Sequence, residues 1–124
     1  MKSEAAFSKY FCDTVRRYKK CLVQRLEITT GAGVPDLVVI HDYKTHWIEL
    51  KWNTKHIRPE QYVWGKKALS NSVTVNYLVG TEKTIELYTI AQAIQMTRSF
   101  KLTDRVTSFD RNMSGIDELV NNLF

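Results

Sequence analysis

Residues 31–51 read GAGVPDLVVIHDYKTHWIELK, and this segment decides the fold. It contains two short apolar runs, 34–40 and 46–52, separated by a polar turn, a pattern typical of a β-hairpin. Side chains alternate along a strand, so Glu49 and Lys51 project to one face and the apolar residues beside them project to the other. If the two runs pair, Asp36 shares the face of Glu49 and Lys51. We therefore expect two carboxylates and a lysine to converge at the edge of an apolar sheet.

Each of these charged residues also has a simpler interpretation. An Asp where a strand begins is often a turn residue, and Glu-x-Lys on a half-exposed strand is usually a solvated stripe. Here, however, Val38 and Ile40 surround Asp36 with apolar neighbours, and apolar residues alternate with Glu49 and Lys51. Burying such charges is costly unless they are paired, and a divalent cation is a suitable partner for two acids. The combination therefore indicates a metal site.

These residues resemble a known family, the PD-(D/E)xK nuclease superfamily. Within it, the closest resemblance is to the VRR-NUC (virus-type replication-repair nuclease) branch and its stand-alone, phage-like members. The resemblance covers about the first two-thirds of the chain, and the tail 96–124 has no counterpart in it. The residues that carry the resemblance are Gly33-Val34-Pro35-Asp36, then Trp47 ahead of Ile48-Glu49-Leu50-Lys51, then Arg58, Pro59 and Gln61.

The resemblance implies an α/β fold with a PD-(D/E)xK restriction-endonuclease-like core. Such a core is a small mixed β-sheet, here of four or five strands, with helices on both sides. We expect a single domain over residues 1–124. The implied activity is hydrolysis of DNA phosphodiester bonds by a metal-dependent endonuclease, selective for branched DNA such as a four-way junction or a flap.

The resemblance also assigns roles to the residues of the hairpin. Asp36, Glu49 and the carbonyl of Leu50 would bind Mg²⁺ or Mn²⁺, which prefer oxygen ligands. Lys51 would orient the attacking water or stabilise the negative charge that develops on the phosphate. Gln61, at the start of a helix, would orient groups around the metal, although a helix-surface amide is the simpler interpretation of its position.

Glu4 has two interpretations of equal weight. It lies in the first turn of a predicted helix, where a carboxylate suits the helix dipole, next to the potential cap Ser3. It also lies one turn before Phe7 and Phe11 on the apolar stripe of that helix, from where it could reach the acidic face of the hairpin. Members of the resembled family use a first-helix glutamate at the metal site, so Glu4 would be a further metal ligand.

The positive charge of the chain is concentrated in the half that carries the acidic cluster. The net charge is +5, and residues 1–67 hold 13 Lys and Arg against 7 Asp and Glu, whereas residues 68–124 hold 5 against 6. A basic surface around an acidic pocket suits an enzyme that acts on phosphodiesters, although basic residues often serve only solubility. The candidate DNA contacts are Arg16, Arg17, Lys55, Arg58, Lys66 and Lys67.

Periodicity predicts the other elements of the chain. Helices are expected over 4–20, 59–70, 90–96 and 115–124, and strands over 21–28, 73–79 and 84–89, with a loop over 97–112. On the second helix, Gln61, Trp64 and Ala68 share one face, which should pack on the sheet, so Trp64 is expected in the core and not as a base-stacking platform.

Composition indicates an intracellular protein. Cys12 and Cys21 are too few and too far apart for a zinc site, and they are expected as buried thiols in a reducing compartment, without a disulfide. The sequence shows no apolar run of membrane-spanning length and no signal peptide, so we expect no membrane partner. The expected location is the cytoplasm, with a phage-encoded origin in a bacterial host as one option.

Two alternatives to the endonuclease remain open at this point. The first is a non-catalytic nucleic-acid-binding module with a nuclease-like fold, although such a module has no reason to keep the costly charged cluster. The second is a protein–protein adaptor whose C-terminal helix binds a partner. With a single expected domain, recognition of branched DNA is expected to come from a homodimer with a symmetric pair of active sites.

Overall fold

The computed structural model describes residues 3–18, 20–26, 32–90, 102 and 105–124. Three helices and six strands lie within these ranges. In chain order they are α1 Glu4–Tyr18, β1 Leu22–Arg25, β2 Leu37–His41, β3 Lys44–Trp52, α2 Pro59–Ser70, β4 Val75–Gly80, β5 Thr84–Thr89, β6 Arg105–Asp110 and α3 Met113–Leu123.

The six strands form one mixed sheet in the order β1-β2-β3-β4-β5-β6. All neighbouring strands are antiparallel except β3 and β4, which run parallel. A parallel pair needs a crossover connection, and α2 supplies it between β3 and β4. The predicted fold class is confirmed: the protein is α/β, with a mixed sheet flanked by helices. The predicted number of strands was wrong, since the described part of the chain contains six.

The hairpin predicted from residues 31–51 is the pair β2–β3. Its register places Leu37 opposite Ile48 and His41 opposite Lys44. The two residues between the strands, Asp42 and Tyr43, have φ of 50° and 63°. Two consecutive positive φ values are the mark of a type I′ turn, whose twist matches that of the strands it joins. The hairpin prediction is confirmed, with strand bounds that differ by a few residues.

The alternation of side chains divides the apolar residues between two cores, one on each face of the sheet. One core lies under α1 and α3 and receives Ile48 and Leu50 from β3. The other lies under α2 and contains Tyr77 and Val79 of β4, with Trp47 packed against it. Glu49 and Lys51 alternate with Ile48 and Leu50, so they project toward the α2 face.

The helices bury the residues that the periodicity indicated. The stripe Phe7, Phe11 and Val15 of α1 is fully buried. On α2, Gln61 is buried, while Trp64 and Ala68 are partly buried against the second core. The ring centroids of Trp64 and Trp47 lie 5.3 Å apart. Trp64 is therefore a core residue, as predicted.

The C-terminal quarter differs most from the prediction. Residues 105–110, predicted as part of a loop, form strand β6 paired with β5. β6 lies at the edge of the sheet, and among its described side chains Phe109 is the apolar one that is buried. The apolar pattern of residues 105–110 is therefore too weak to indicate a strand. The helix predicted over 90–96 lies outside the described residues, apart from Ile90.

Helix α3 packs on its own domain. The four apolar side chains of its amphipathic face are buried in the core under α1, namely Ile116, Leu119, Val120 and Leu123. Its first turn is capped by Asn112, whose Oδ1 accepts a hydrogen bond from the Gly115 N–H at 2.8 Å. Because its apolar face is already used, α3 does not offer the free surface that the adaptor alternative requires.

Two further expectations concern the cysteines and the membrane. Both cysteines are free; Cys12 is buried, as expected, whereas Cys21 is half-buried. Among the described residues, no helix has the length and apolar character needed to cross a membrane.

Gly65 allows α2 to lie close to the sheet. A Cβ atom at this position would lie 2.7 Å from Cδ1 of Ile90 and would overlap the hydroxyl oxygen of Tyr77. Both neighbours are buried, so neither can move aside at low cost.

We predict that Gly65→Ala lowers the free energy of unfolding by about 1–3 kcal/mol, because the added methyl overpacks the interface. An ordinary helix-interior Gly→Ala change has the opposite sign, at about 1 kcal/mol. Chemical denaturation measures the sign and the size of the change in the free energy of unfolding. Tyr77→Phe removes the hydroxyl that the methyl meets and should reduce the cost of Gly65→Ala in the double variant. A stabilised Gly65→Ala protein would contradict the packing described.

Candidate active site

Asp36 and Glu49 are held together by reciprocal hydrogen bonds to the backbone. The N–H of Asp36 donates to Oε2 of Glu49 at 3.0 Å. The N–H of Leu50 donates to Oδ2 of Asp36 at 2.9 Å. Asp36 immediately precedes β2, whose first residue Leu37 pairs with Ile48, so it lies across from Glu49. The structure therefore brings the two predicted carboxylates together.

Glu49 is a buried acid with an unusual proton affinity. Its side chain is 4% exposed. Burial raises the pKa of Glu49 to about 8, and the neighbouring Asp36 carboxylate and the more distant Glu4 add to the rise, against the partial opposition of Lys51. When Glu49 is ionised, the two carboxylates therefore carry more negative charge than Lys51 alone neutralises.

Gln61 joins the acid to the lysine. Its Nε2 donates to Oε1 of Glu49 at 2.6 Å, and its Oε1 accepts from Nζ of Lys51 at 3.1 Å. The same oxygen accepts from the Arg58 N–H at 2.8 Å, which satisfies one of the free N–H groups at the start of α2. Gln61 is 4% exposed, so the interpretation as a surface amide was wrong. Nζ of Lys51 lies 3.9 Å from Oε1 of Glu49, and the three side chains form one network.

The glycine before Asp36 fixes the position of α2 relative to the hairpin. Gly33 is buried and has φ of +77°, in the left-handed region. A Cβ atom here would overlap the carbonyl of Glu60 and lie 2.7 Å from the Gln61 nitrogen. Gly33 therefore lets the backbone of this loop approach the backbone of α2 closely. This contact holds the N-terminus of α2, and hence Gln61, against the carboxylates.

A cavity of about 270 Å³ opens onto the acidic cluster from the side of α1. Glu4, at the start of α1, is exposed and lines this cavity. Ser3 caps the helix, since its Oγ accepts from the Ala6 N–H at 3.1 Å. Glu4 therefore occupies both predicted places, the first turn of the helix and the rim of the acidic site. The other lining residues are Ala5, Ser8, Arg25, Leu26, Asp36 and Leu50.

The donor set fits a hard divalent cation. Asp36 and Glu49 offer carboxylate oxygens, and Leu50 lines the cavity next to them. Within the described residues, no group of three His, Cys, Asp or Glu side chains that could hold a metal ion is found, and the role of Glu4 as a metal ligand stays a prediction. Mg²⁺ is commonly bound by one or two carboxylates together with substrate phosphates. Burial is the main cause of the raised pKa of Glu49, and the repulsion from Asp36 that adds to it is what a bound cation would relieve.

The predicted DNA-contacting residues lie on two parts of the surface. Arg16 and Arg17 are exposed near the end of α1, and Arg16 lies 3.7 Å from Asp13. The others follow β3 in the loop and on α2; they are Lys55, Arg58 and Lys67, which are exposed, and Lys66, which is half-buried. Nε of Arg58 lies 3.6 Å from Oε1 of Glu60, and Nζ of Lys55 lies 5.8 Å from the ring centroid of Tyr88.

Sequence reasoning missed Arg25 and Ser8, which line the acidic cavity. Arg25 is the last residue of β1 and pairs with Leu37, the residue after Asp36. The next residue, Leu26, donates its N–H to the carbonyl of Asp36 at 2.7 Å. The signal was present in the sequence as a basic residue ending the first strand, but its use depends on β1 pairing with β2, which the sequence alone did not indicate.

Comparison with known proteins assigns the chain to no family. No protein-family model and no curated protein matches the chain. Among solved structures, the chain is similar to Archaeoglobus fulgidus Hjc, a Holliday junction resolvase from an archaeal hyperthermophile. The two share 14% identity over 89% of this chain and 91% of that chain, with a TM-score of 0.49. A likeness at this level assigns no residue roles, and the VRR-NUC branch and a phage origin stay predictions.

The raised pKa of Glu49 predicts a pH dependence of stability in the metal-free protein. The unfolded chain titrates near the ordinary pKa of 4.5 and the folded chain near about 8. Between these values the folded protein binds more protons, so the free energy of unfolding falls as pH rises from about 5 to about 8. We expect this fall to be larger in the wild type than in Glu49→Gln by at least about 1 kcal/mol, since one pKa unit corresponds to about 1.4 kcal/mol.

Denaturation in EDTA at a series of pH values measures this difference. Glu82→Gln is the matched control, because it makes the same chemical change at an exposed position. The control should retain the wild-type pH dependence. Identical pH profiles for the wild type and Glu49→Gln would show that Glu49 titrates normally.

Proposed function

We propose that the protein is a metal-dependent endonuclease that hydrolyses DNA phosphodiester bonds with Mg²⁺ or Mn²⁺. The observation that carries the proposal is the buried network of Asp36, Glu49, Lys51 and Gln61, whose member Asp36 lines a cavity accessible from solvent. Structural ion pairs seldom keep an acid with a pKa near 8 beside a second acid, because that arrangement costs stability. Strongly shifted acids of this kind are characteristic of functional sites.

Each side chain of the network has a role in this proposal. Asp36 and Glu49 would hold the cation, with the Leu50 carbonyl as a third protein ligand. A divalent cation held there would polarise the phosphate and lower the pKa of a bound water molecule. Lys51 places a positive charge where negative charge develops on the attacked phosphate. Gln61 is a positioning residue, since it holds the Lys51 ammonium and the Glu49 carboxylate in one network.

The surroundings of the network suit a polyanionic substrate. Arg25 lines the acidic cavity and is a candidate contact to a phosphate of the bound strand. The basic residues in the loop after β3 and on α2 follow directly from the strand that carries Glu49 and Lys51. Lys and Arg contacts to phosphate position a nucleic acid without reading its sequence, so this surface supports recognition of DNA by shape.

We predict that Asp36→Asn, Glu49→Gln and Lys51→Met each reduce DNA cleavage at least about 100-fold, since removal of one preorganised electrostatic group typically costs 10²–10³ in rate. A gel assay with single-stranded, duplex, flap and four-way substrates, each with and without Mg²⁺, measures cleavage. Asp42→Asn is the matched control, because Asp42 is exposed in the turn at the far end of the hairpin and its positive φ suits Asn.

Circular dichroism and denaturation should show that the variants are folded. Full activity in a folded Glu49→Gln protein would end the proposal. DNA binding by the wild type without cleavage of any substrate in the presence of Mg²⁺ or Mn²⁺ would favour the non-catalytic binding module instead.

We further propose that the substrate is branched DNA and that the active unit is a homodimer. The resemblance of the motifs to stand-alone VRR-NUC nucleases supports this, as does an apolar patch on the edge of the sheet. Leu22 of β1 and Ile40 of β2 are register partners and are 58% and 41% exposed. Exposed apolar pairs on an edge strand are typical of sites where another chain docks. A second copy would place two active sites on one four-way junction.

We predict that the protein sediments as a dimer at micromolar concentration and that Leu22→Glu converts it to a monomer, because the change places a charge in the apolar patch. Tyr43→Asp is the control: Tyr43 is fully exposed at the hairpin tip, and its φ of 63° is one that Asp tolerates. Sedimentation equilibrium makes the measurement. A wild-type protein that is only monomeric at assay concentrations would contradict the dimer.

A further inference from the structure

A second cavity, of about 320 Å³, adjoins the candidate active site on the other side of Lys51. Lys51 of β3 pairs with Val79 of β4, which pairs in turn with Glu86 of β5, and both Val79 and Glu86 line this cavity. Residues paired across a sheet share one face, so all three lie on the face that carries Glu49. Strands are about 4.8 Å apart, which places Glu86 about 10 Å from Lys51 along this row.

The cavity and the carboxylates therefore lie on opposite sides of the same lysine. Asp36 lies on the β2 side of β3, whereas the cavity lies on the opposite side, over β4 and β5. A DNA strand whose scissile phosphate lies at Asp36 and Lys51 would place an adjoining nucleotide within reach of the cavity. Its position is thus that of a substrate subsite.

One wall of the cavity is the loop that follows β3. The N–H of Asn53 donates to the carbonyl of Gly80 at 2.8 Å, and Asn53 has φ of 54°, which Asn adopts more readily than most residues. Thr54 Oγ1 accepts from the His56 N–H at 3.2 Å. Farther along, the N–H of Leu102 donates to the carbonyl of Lys55 at 2.7 Å. The loop is held by backbone hydrogen bonds, so the wall is preformed.

The opposite wall is the β4–β5 turn, which is equally well held. Thr81 exchanges backbone and side-chain hydrogen bonds with Thr84, and its carbonyl accepts from Nη1 of Arg111 at 2.9 Å. Glu86 accepts a hydrogen bond from the hydroxyl of Tyr88, which fixes its carboxylate. A preformed site binds more tightly because it avoids the entropic cost of ordering its groups.

The chemistry of the lining favours a nucleobase. Lys55, whose Nζ lies 5.8 Å from the Tyr88 ring centroid, also lines the cavity and would attract a phosphate, whereas the Glu86 carboxylate would repel it. A base edge carries donors as well as acceptors and can therefore pair with both kinds of group. The Glu86 carboxylate accepts hydrogen bonds, the Asn53 amide both donates and accepts, and Val79 adds an apolar surface. His56 contributes an imidazole, and aromatic rings are surfaces on which bases stack. The volume lies at the lower end of the range of about 300–1,000 Å³ for small-molecule pockets.

We propose that this cavity binds an unpaired nucleobase of the nucleotide next to the scissile phosphate. The inference rests on the proposed nuclease function and deepens it. A base inside a duplex must be unstacked and extruded before it can enter, whereas an unpaired base in a flap or at a junction is already free. Such a subsite selects DNA that has an unpaired nucleotide at the cleavage position, without reading the sequence of a duplex.

The experiment uses a flap DNA with a single 2-aminopurine moved through the unpaired segment and the adjoining duplex. Binding is followed by fluorescence in EDTA, with the full chain, so no cleavage is needed. The expected result is a fluorescence change confined to one or two positions. A change of equal size at every position would show that binding involves the backbone alone and would overturn the proposal.

Two substitutions remove the polar lining without strain. Asn53→Gly keeps a residue that accepts positive φ, and Glu86→Gln keeps an acceptor for the Tyr88 hydroxyl. The double variant should weaken the position-specific signal at least fivefold. Glu82→Gln, in the same β4–β5 turn but outside the cavity, should not. An unchanged signal in the double variant, or displacement of the base by millimolar inorganic phosphate, would overturn the assignment.

A cleavage arm separates this proposal from the function on which it rests. With Mg²⁺, an abasic residue at the responsive position should slow cleavage by about tenfold, and cleavage at the normal rate would overturn the subsite. If no DNA is cleaved under any condition but the localised fluorescence signal persists, the nuclease function fails while the base-binding cavity stands.

Discussion

The structure depends on the burial of one carboxylate. Glu49 is placed mid-strand in β3, almost fully out of water, and receives one hydrogen bond from the Asp36 N–H and one from the Gln61 amide. A buried acid is tolerated only where its lone pairs are satisfied. The segment before β2 supplies the Asp36 N–H and the first turn of α2 supplies the Gln61 amide. Gly33 lets these two segments approach each other closely. The contacts that hold the hairpin against α2 are therefore also the contacts that form the candidate site.

The hairpin and its cluster could be predicted from the sequence because the period-two pattern is local. It fixes which side chains of β3 face α2, and the type I′ turn leaves little freedom in the register, so Asp36 must lie across from Glu49. Pro59 and the spacing of Gln61, Trp64 and Ala68 similarly fixed the start and the buried face of α2. In these segments local preference and tertiary packing agree.

The rest could not be predicted because it depends on partners distant in the sequence. Strand β6 is an edge strand with little apolar pattern of its own, and it is a strand because β5 offers it a free edge. Arg25 reaches the acidic cavity only through the pairing of β1 with β2. The close approach of Gly33 to Glu60 joins two segments that the sequence separates by the whole hairpin. The raised pKa of Glu49 could not be predicted either. It depends on burial and on the nearby Asp36 carboxylate, and a strand pattern indicates neither.

The parallel pairing of β3 and β4 has an evolutionary consequence. Because these strands run in the same direction, the loop after β3 and the turn after β4 emerge side by side at one end of the sheet, while the hydrogen-bonded acids stay anchored within the hairpin. Surface loops tolerate insertion and replacement far better than the strands they join. Such an arrangement lets that rim change while the buried acidic cluster stays the same.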